Sequence, residues 1–128
     1  QEDGQAAFNA KRVLQAGALV SIIDSLYFNK NLIVLGDFNA YSKEDPVKYL
    51  QNHHLIKLST NQYSYVYKGM QGDLDHAFVS QSFKSSVKET KVLDINASFP
   101  NWIDYRFENS DSRYFRSSDH NPLLIGVY

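Results

Sequence analysis

Apolar residues recur at helical spacing early in the chain. Leu19, Ile22, Ile23 and Leu26 share one face, with Val13 and Leu14 a turn or two earlier, and together they predict an amphipathic helix over about 9–28. Asn9 is the expected N-cap and Asn29-Lys30-Asn31 the expected stop. Leu32-Ile33-Val34-Leu35 is a short continuous apolar run closed by Gly36, the pattern of a fully buried central strand. Ser42, with Asp45 three residues on and Pro46 in the first turn, predicts a second helix to about Asn52. The second half reads as strands. Tyr63-Ser64-Tyr65-Val66-Tyr67, a turn over Lys68–Gly72, and Leu74 to Val79 predict a hairpin over about 63–80. Val87 to Ile95 is another strand, and Pro122 opens a last one through Tyr128. Positions 96–115 look irregular. Helices mixed with clustered strands predict an α+β chain: one mixed sheet with helices on one face.

Composition narrows the function classes. In 128 residues, 43% are hydrophobic, enough for a real core, and 13 basic side chains stand against 14 acidic ones. A net charge of -1 is not that of a general polycation, so any nucleic-acid binding comes from a local site. The 9 Tyr and 8 Phe are spread through the chain and argue against disorder. There is no Cys, which excludes disulfides, thiolate nucleophiles and Cys-ligated zinc. The most apolar stretch, Ala16 to Phe28, is about half of what spans a bilayer and is broken by Asp24, so no membrane partner is expected. Residue 1 is Gln and the sole Met is Met70, from which the chain is expected to be a fragment of something longer.

Three short segments carry candidate chemistry. In Gly36-Asp37-Phe38-Asn39, a strand delivers an acid and an amide two residues apart. A carboxylate suits a cation or a water, and an amide N–H suits a phosphoryl oxygen; the same residues also form ordinary turns. In Leu74-Asp75-His76, a charged residue sits inside an apolar strand, and the two polar side chains point to opposite faces. Either Asp75 is partly buried and fixes a histidine tautomer, or it faces solvent. His76 reads as structural or exposed. In Ser118-Asp119-His120-Asn121-Pro122, adjacent Asp and His diverge and serve two neighbouring tasks, metal ligand and general base, or else mark a polar surface loop. Arg116 lies four residues before His120 and suits phosphate contact, whereas Arg106 and Arg113 read as surface residues.

The order and spacing of these segments resemble the second half of the endonuclease/exonuclease/phosphatase superfamily, the deoxyribonuclease-I-like fold. The strand-Gly-Asp-Phe-Asn, Leu-Asp-His-Ala-Phe-Val-Ser and Arg-Ser-Ser-Asp-His-Asn-Pro segments carry that resemblance. Asp3-Gly4-Gln5, Phe8 to Arg12, Tyr41 with Glu44-Asp45-Pro46, Tyr63 to Val66, and Ile95-Asn96-Ala97 with Asp104-Tyr105 look like its extracellular bacterial nuclease branch. The resemblance implies the C-terminal half of a four-layer α/β-sandwich, over residues 1–128, with the N-terminal half absent. It implies hydrolysis of a phosphodiester, most readily DNA, by a secreted enzyme using Mg²⁺, or Mn²⁺ or Ca²⁺. By position, Asp37 and Asn39 match the pair that orients the attacking water and the phosphate. Asp75 matches the carboxylate that holds the active-site His, Asp119 a metal ligand, His120 the base or phosphate-polarising imidazole, and Arg116 a phosphate contact. Position 121 is Asn where the branch more often has Asp, and a small effect is expected.

The resemblance also implies a metal-binding Glu from the first half. Glu2, Glu44, Glu89 and Glu108 have no strand context that replaces it. The isolated chain is therefore expected to be nearly inactive. One sheet face is expected to be apolar and uncovered, prone to self-association unless the missing half covers it. The alternatives are a phosphatase or a lipid- or inositol-phosphate phosphodiesterase of the same superfamily, and a non-catalytic nucleic-acid- or sugar-binding module whose Tyr63, Tyr65 and Tyr67 stack on a ligand. A binuclear metallophosphoesterase needs more His than the four present.

Overall fold

The computed structural model describes residues 4–100 and 116–128, so the readings of Asp3, Asp104-Tyr105, Arg106 and Arg113 lie outside the described residues. The chain runs α1 (Asn9–Leu26), β1 (Ile33–Asp37), α2 (Asp45–Gln51), β2 (Leu55–Leu58), β3 (Tyr65–Tyr67), β4 (Met70–Gly72), β5 (Asp75–Ser80), a 3₁₀ helix (Gln81–Ser86), β6 (Val87–Val92) and β7 (Leu123–Val127).

The α+β class holds, but the single mixed sheet does not. The described strands form three sheets, β1-β5-β2, β3-β4 and β6-β7, and every pairing is antiparallel. The central strand is β5, whose residues 76–79 are all buried; β1, expected at the centre, is the outer strand. Asp-His-Ala-Phe-Val carries apolar side chains on both faces, the mark of a strand covered twice. The expected hairpin over 63–80 is shorter. β3 turns straight into β4 through Lys68 and Gly69, both with positive φ (49° and 80°), as a two-residue turn requires. β5 then leaves for the other sheet. β2, not foreseen, follows directly on His53-His54, which read as a helix end.

Register fixes the faces. Antiparallel partners share a face, so Val34 and Phe78 lie on one side and Ile33, Leu35, Ala77 and Val79 on the other. Both helices cover the first side. Ala16 and Val20 of α1 and Val47 and Leu50 of α2 pack around Phe78 and Leu55. Helices on one face are thus as expected. Phe78 is fully buried, worth about 1.5–3 kcal/mol in area removed from water. Half of the stripe that the spacing suggested packs inward: Leu19 and Ile23 lie against the core beside Ala16 and Val20, whereas Ile22, Leu26 and Leu14 are exposed, and the small Ala16 lets α1 approach. Asn9 is not a cap either. Phe8 precedes the helix in a left-handed conformation, and Asn9 Nδ2 donates to Asp45 Oδ2 (2.8 Å), tying α1 to α2. Ser42 likewise does not cap α2; its hydroxyl donates to Asp73.

The second side is not bare. Leu123 and Ile125 of β7, with Val87 and Phe83, pack on Ala77, Val79 and Leu58. Among the described residues the β1 corner stays open, where Leu35 is 62% exposed.

Candidate active site

Asp37 closes β1 and Asp75 opens β5, and the register sets them directly opposite each other. They therefore project from the same face, the one that β6-β7 covers only in part. Two carboxylates in that position repel unless a cation or a proton donor stands between them. His120 supplies the donor: its Nδ1 lies 2.7 Å from Asp75 Oδ2, and both side chains are about four-fifths buried. With Nδ1–H donating to the carboxylate, a neutral imidazole presents Nε2 as an acceptor. Asp75 is thus partly buried with a partner and does not point simply into solvent.

Asp37, Asp75 and His120 each place a ligand-type atom within 4.8 Å of the others. Two carboxylates and one imidazole facing each other at this range fit a divalent cation, the oxygens suiting a hard one. Asp119 is exposed and stands outside this group, although it adjoins His120.

Asn39 shows that the turn and site readings of residues 36–39 coincide. Its backbone N–H donates to Asp37 Oδ1 (2.8 Å) and its Nδ2 to Asp37 Oδ2 (3.1 Å). Both oxygens of Asp37 are thereby oriented, and the Asn39 amide faces Asp37, not an open phosphate position. Asn39 has φ 48°, a left-handed conformation that Asn tolerates. Arg12 of α1 holds the turn from behind. Its Nη2 donates to Asn39 O (2.7 Å) and pairs with buried Glu44. Glu44 is thus committed to structure, in line with its exclusion as a stand-in metal ligand.

His76 is structural. It points to the helix side, fully buried, with Nε2 2.7 Å from Ala40 O and its ring against Phe38 and Phe78. Burial lowers its pKa below the usual value, against the opposing pull of the Ala40 carbonyl. Beside it, burial raises the Asp73 carboxyl, but hydrogen bonds from Ser42 and Lys57 outweigh that and leave its pKa below normal.

The loop bearing His120 is held by amides. Asn121, 2% exposed, uses its full side-chain capacity: Oδ1 accepts from the N–H groups of Asn96 (2.9 Å) and Ala97 (2.8 Å), and Nδ2 donates to Tyr63 O (3.2 Å) and Asp94 Oδ1 (3.1 Å). Position 121, expected to have a small effect, carries a structural role: a carboxylate here would turn an oxygen toward Asp94 and the Tyr63 carbonyl. Asn96 Nδ2 donates to His120 O (2.7 Å). Arg116, expected at a phosphate, has a bracing contact within the loop. It is buried in a left-handed conformation, and its Nη1 donates to Asn96 O (3.0 Å), so it braces the loop in place of offering that nitrogen to a phosphate.

Asp75 and His120 line a hollow of about 310 Å³, with Leu35, Asn96, Asn121 and Leu123 around them. A larger hollow of about 510 Å³ opens beside Lys57, Asn61, Gln71 and Asp73. None of Asp37, Asp75 or His120 lines it, and Lys57 is already paired with Asp73 at 3.0 Å. The smaller hollow therefore holds Asp75 and His120; Asp37 does not line it, although its neighbour Gly36 does. Ser64, Asn96 and Arg12 were missed as contributors; they bond backbone atoms far away in sequence, which no spacing encodes.

A family model described as Endonuclease/Exonuclease/phosphatase family matches residues 7–120. Comparison with curated proteins and with solved structures finds no match.

Proposed function

This chain belongs to the endonuclease/exonuclease/phosphatase family, whose members are generally hydrolases of phosphoester bonds that use divalent metals, and from that premise we propose that it forms part of a secreted nuclease hydrolysing DNA phosphodiesters. The observation that carries the reading is the convergence of Asp37, Asp75 and His120, from two strands and a distant loop, within 4.8 Å.

In this mechanism His120 Nε2 takes the proton of the attacking water. Asp75 holds the imidazole through Nδ1 and stabilises the imidazolium that forms. Asp37, its oxygens oriented by the backbone N–H and side-chain amide of Asn39, aligns the water and supplies a cation ligand, so Asn39 acts through Asp37. Asp119 contributes a further carboxylate from the loop. A bound Mg²⁺, Mn²⁺ or Ca²⁺ offsets the repulsion between phosphate and nucleophile. The Glu ligand that the resemblance implies is not supplied by Glu44 or Glu89, neither of which stands in the cluster of Asp37, Asp75 and His120.

The test is cleavage of plasmid DNA and of bis(p-nitrophenyl) phosphate by the protein together with its upstream sequence, in Mg²⁺ and in EDTA. His120→Ala is expected to lower kcat by about 10²–10⁴-fold with substrate binding retained. Equal turnover in wild type and variant sinks the proposal. Cleavage of a phosphomonoester or a lipid headgroup in place of DNA redirects it within the family.

A further inference from the structure

Ser64 joins the two segments that carry the reacting pair. Its side chain is fully buried. Its Oγ accepts the backbone N–H groups of both Leu74 and Asp75, each at 3.1 Å. Its carbonyl accepts the N–H of Asn121 at 2.7 Å, and its own N–H donates to Gly72 O at 3.1 Å. One residue thus fixes the backbone at the start of β5, where Asp75 projects, and the backbone just after His120. The next residue continues the link: Tyr65 bridges to His120 as an isolated antiparallel pair, with its ring 4.7 Å from the imidazole.

We propose that Ser64 is a positioning residue whose hydroxyl sets the Asp75 carboxylate at hydrogen-bond distance from His120. The physical reason is the double acceptance. Two successive N–H groups at the strand's start are buried or part-buried, and a hydroxyl with two lone pairs satisfies both at once. Remove the oxygen, and both donors are left buried and unpaired. The backbone at 74–75 then relaxes toward other acceptors, and a displacement of well under an ångström at Asp75 is enough to break a 2.7 Å contact.

The inference rests on reading Asp75 and His120 as the reacting pair, but its test reads the pair's geometry, so failure of the DNA experiment leaves it standing or falling by itself. In the full chain labelled with ¹⁵N, the His120 Nδ1–H proton is followed by NMR, assigned by its loss in Asp75→Asn. Exchange of the Leu74 and Asp75 amides is followed in the same samples. Ser64→Ala is expected to keep the circular dichroism of the wild type, to lose the imidazole N–H signal, and to speed exchange at both amides at least about tenfold, the equivalent of ~1.4 kcal/mol. Ser64→Thr, which keeps the oxygen, is expected to retain both. Should Ser64→Ala fail to fold, Ser64→Cys keeps the volume with a weaker acceptor and is expected to show the same losses. A folded Ala or Cys variant with an intact His120 signal overturns the proposal.

Discussion

Asn121 donates an amide N–H to Asp94 Oδ1 across 3.1 Å, while its own oxygen collects two backbone N–H groups. The two ends of that amide are not interchangeable. Asn121→Asp places an oxygen where the nitrogen stood, facing a carboxylate and a carbonyl. The expected cost is about 1–3 kcal/mol of folding stability at neutral pH, read from the urea midpoint. An unchanged midpoint contradicts the assigned orientation of the amide.

The same carboxylate gives a pH dependence. Partial burial, the largest single influence, raises the Asp94 carboxyl, but hydrogen bonds from Ser98, Tyr63 and Asn121 together outweigh it, and its pKa lies below the ordinary 3.8. A carboxyl depressed in the folded state stabilises the fold above the unfolded pKa and loses that contribution as pH falls through the folded value. Asp94→Asn is therefore expected to be less stable than the wild type at pH 7, with the difference closing below about pH 3.8. Paired urea titrations across pH 2.5–7 check it; a gap that widens toward acid refutes it.

Arg12 and Glu44 form a pair with only 15% and 5% side-chain exposure. Arg12→Met leaves Glu44 charged and buried, a loss of about 3–5 kcal/mol. Arg12→Met with Glu44→Met is expected to recover most of that stability, since a buried pair is often replaceable by apolar volume. The double variant still lacks the donor to Asn39 O, so the Asp37 turn stays looser. Thermal unfolding separates the first effect, and divalent-cation affinity by calorimetry the second. Equal losses in single and double variants contradict the account.

What the sequence made legible follows local chemistry. The helix over 9–28, the Pro46 helix and the last strand were readable because periodicity, a first-turn proline and an apolar run act over a few residues. Asp37, Asp75 and His120 were readable because acids and imidazoles stand out in or beside apolar strands. Sheet order was not. Whether β5 pairs with β3 or with β1 and β2 depends on long-range contacts, and the Gly72-Asp73-Leu74 stretch reads equally as a hairpin arm or as a departure from one. The roles of Ser64, Asn96 and Asn121 were hidden for the same reason. Each bonds main chain roughly 10 to 60 positions away, and main-chain donors and acceptors leave no trace in residue type.

Leu35 sits on the rim of the hollow that Asp75 and His120 line, and it is the most exposed apolar side chain on the sheet's second side. Among the described residues, the hollow in which the proposed chemistry would sit therefore has an apolar wall open to solvent. Any body laid over that wall shields the leucine and narrows the chamber in one motion, so seclusion of the chemistry and quenching of the sticky corner are a single event in this architecture.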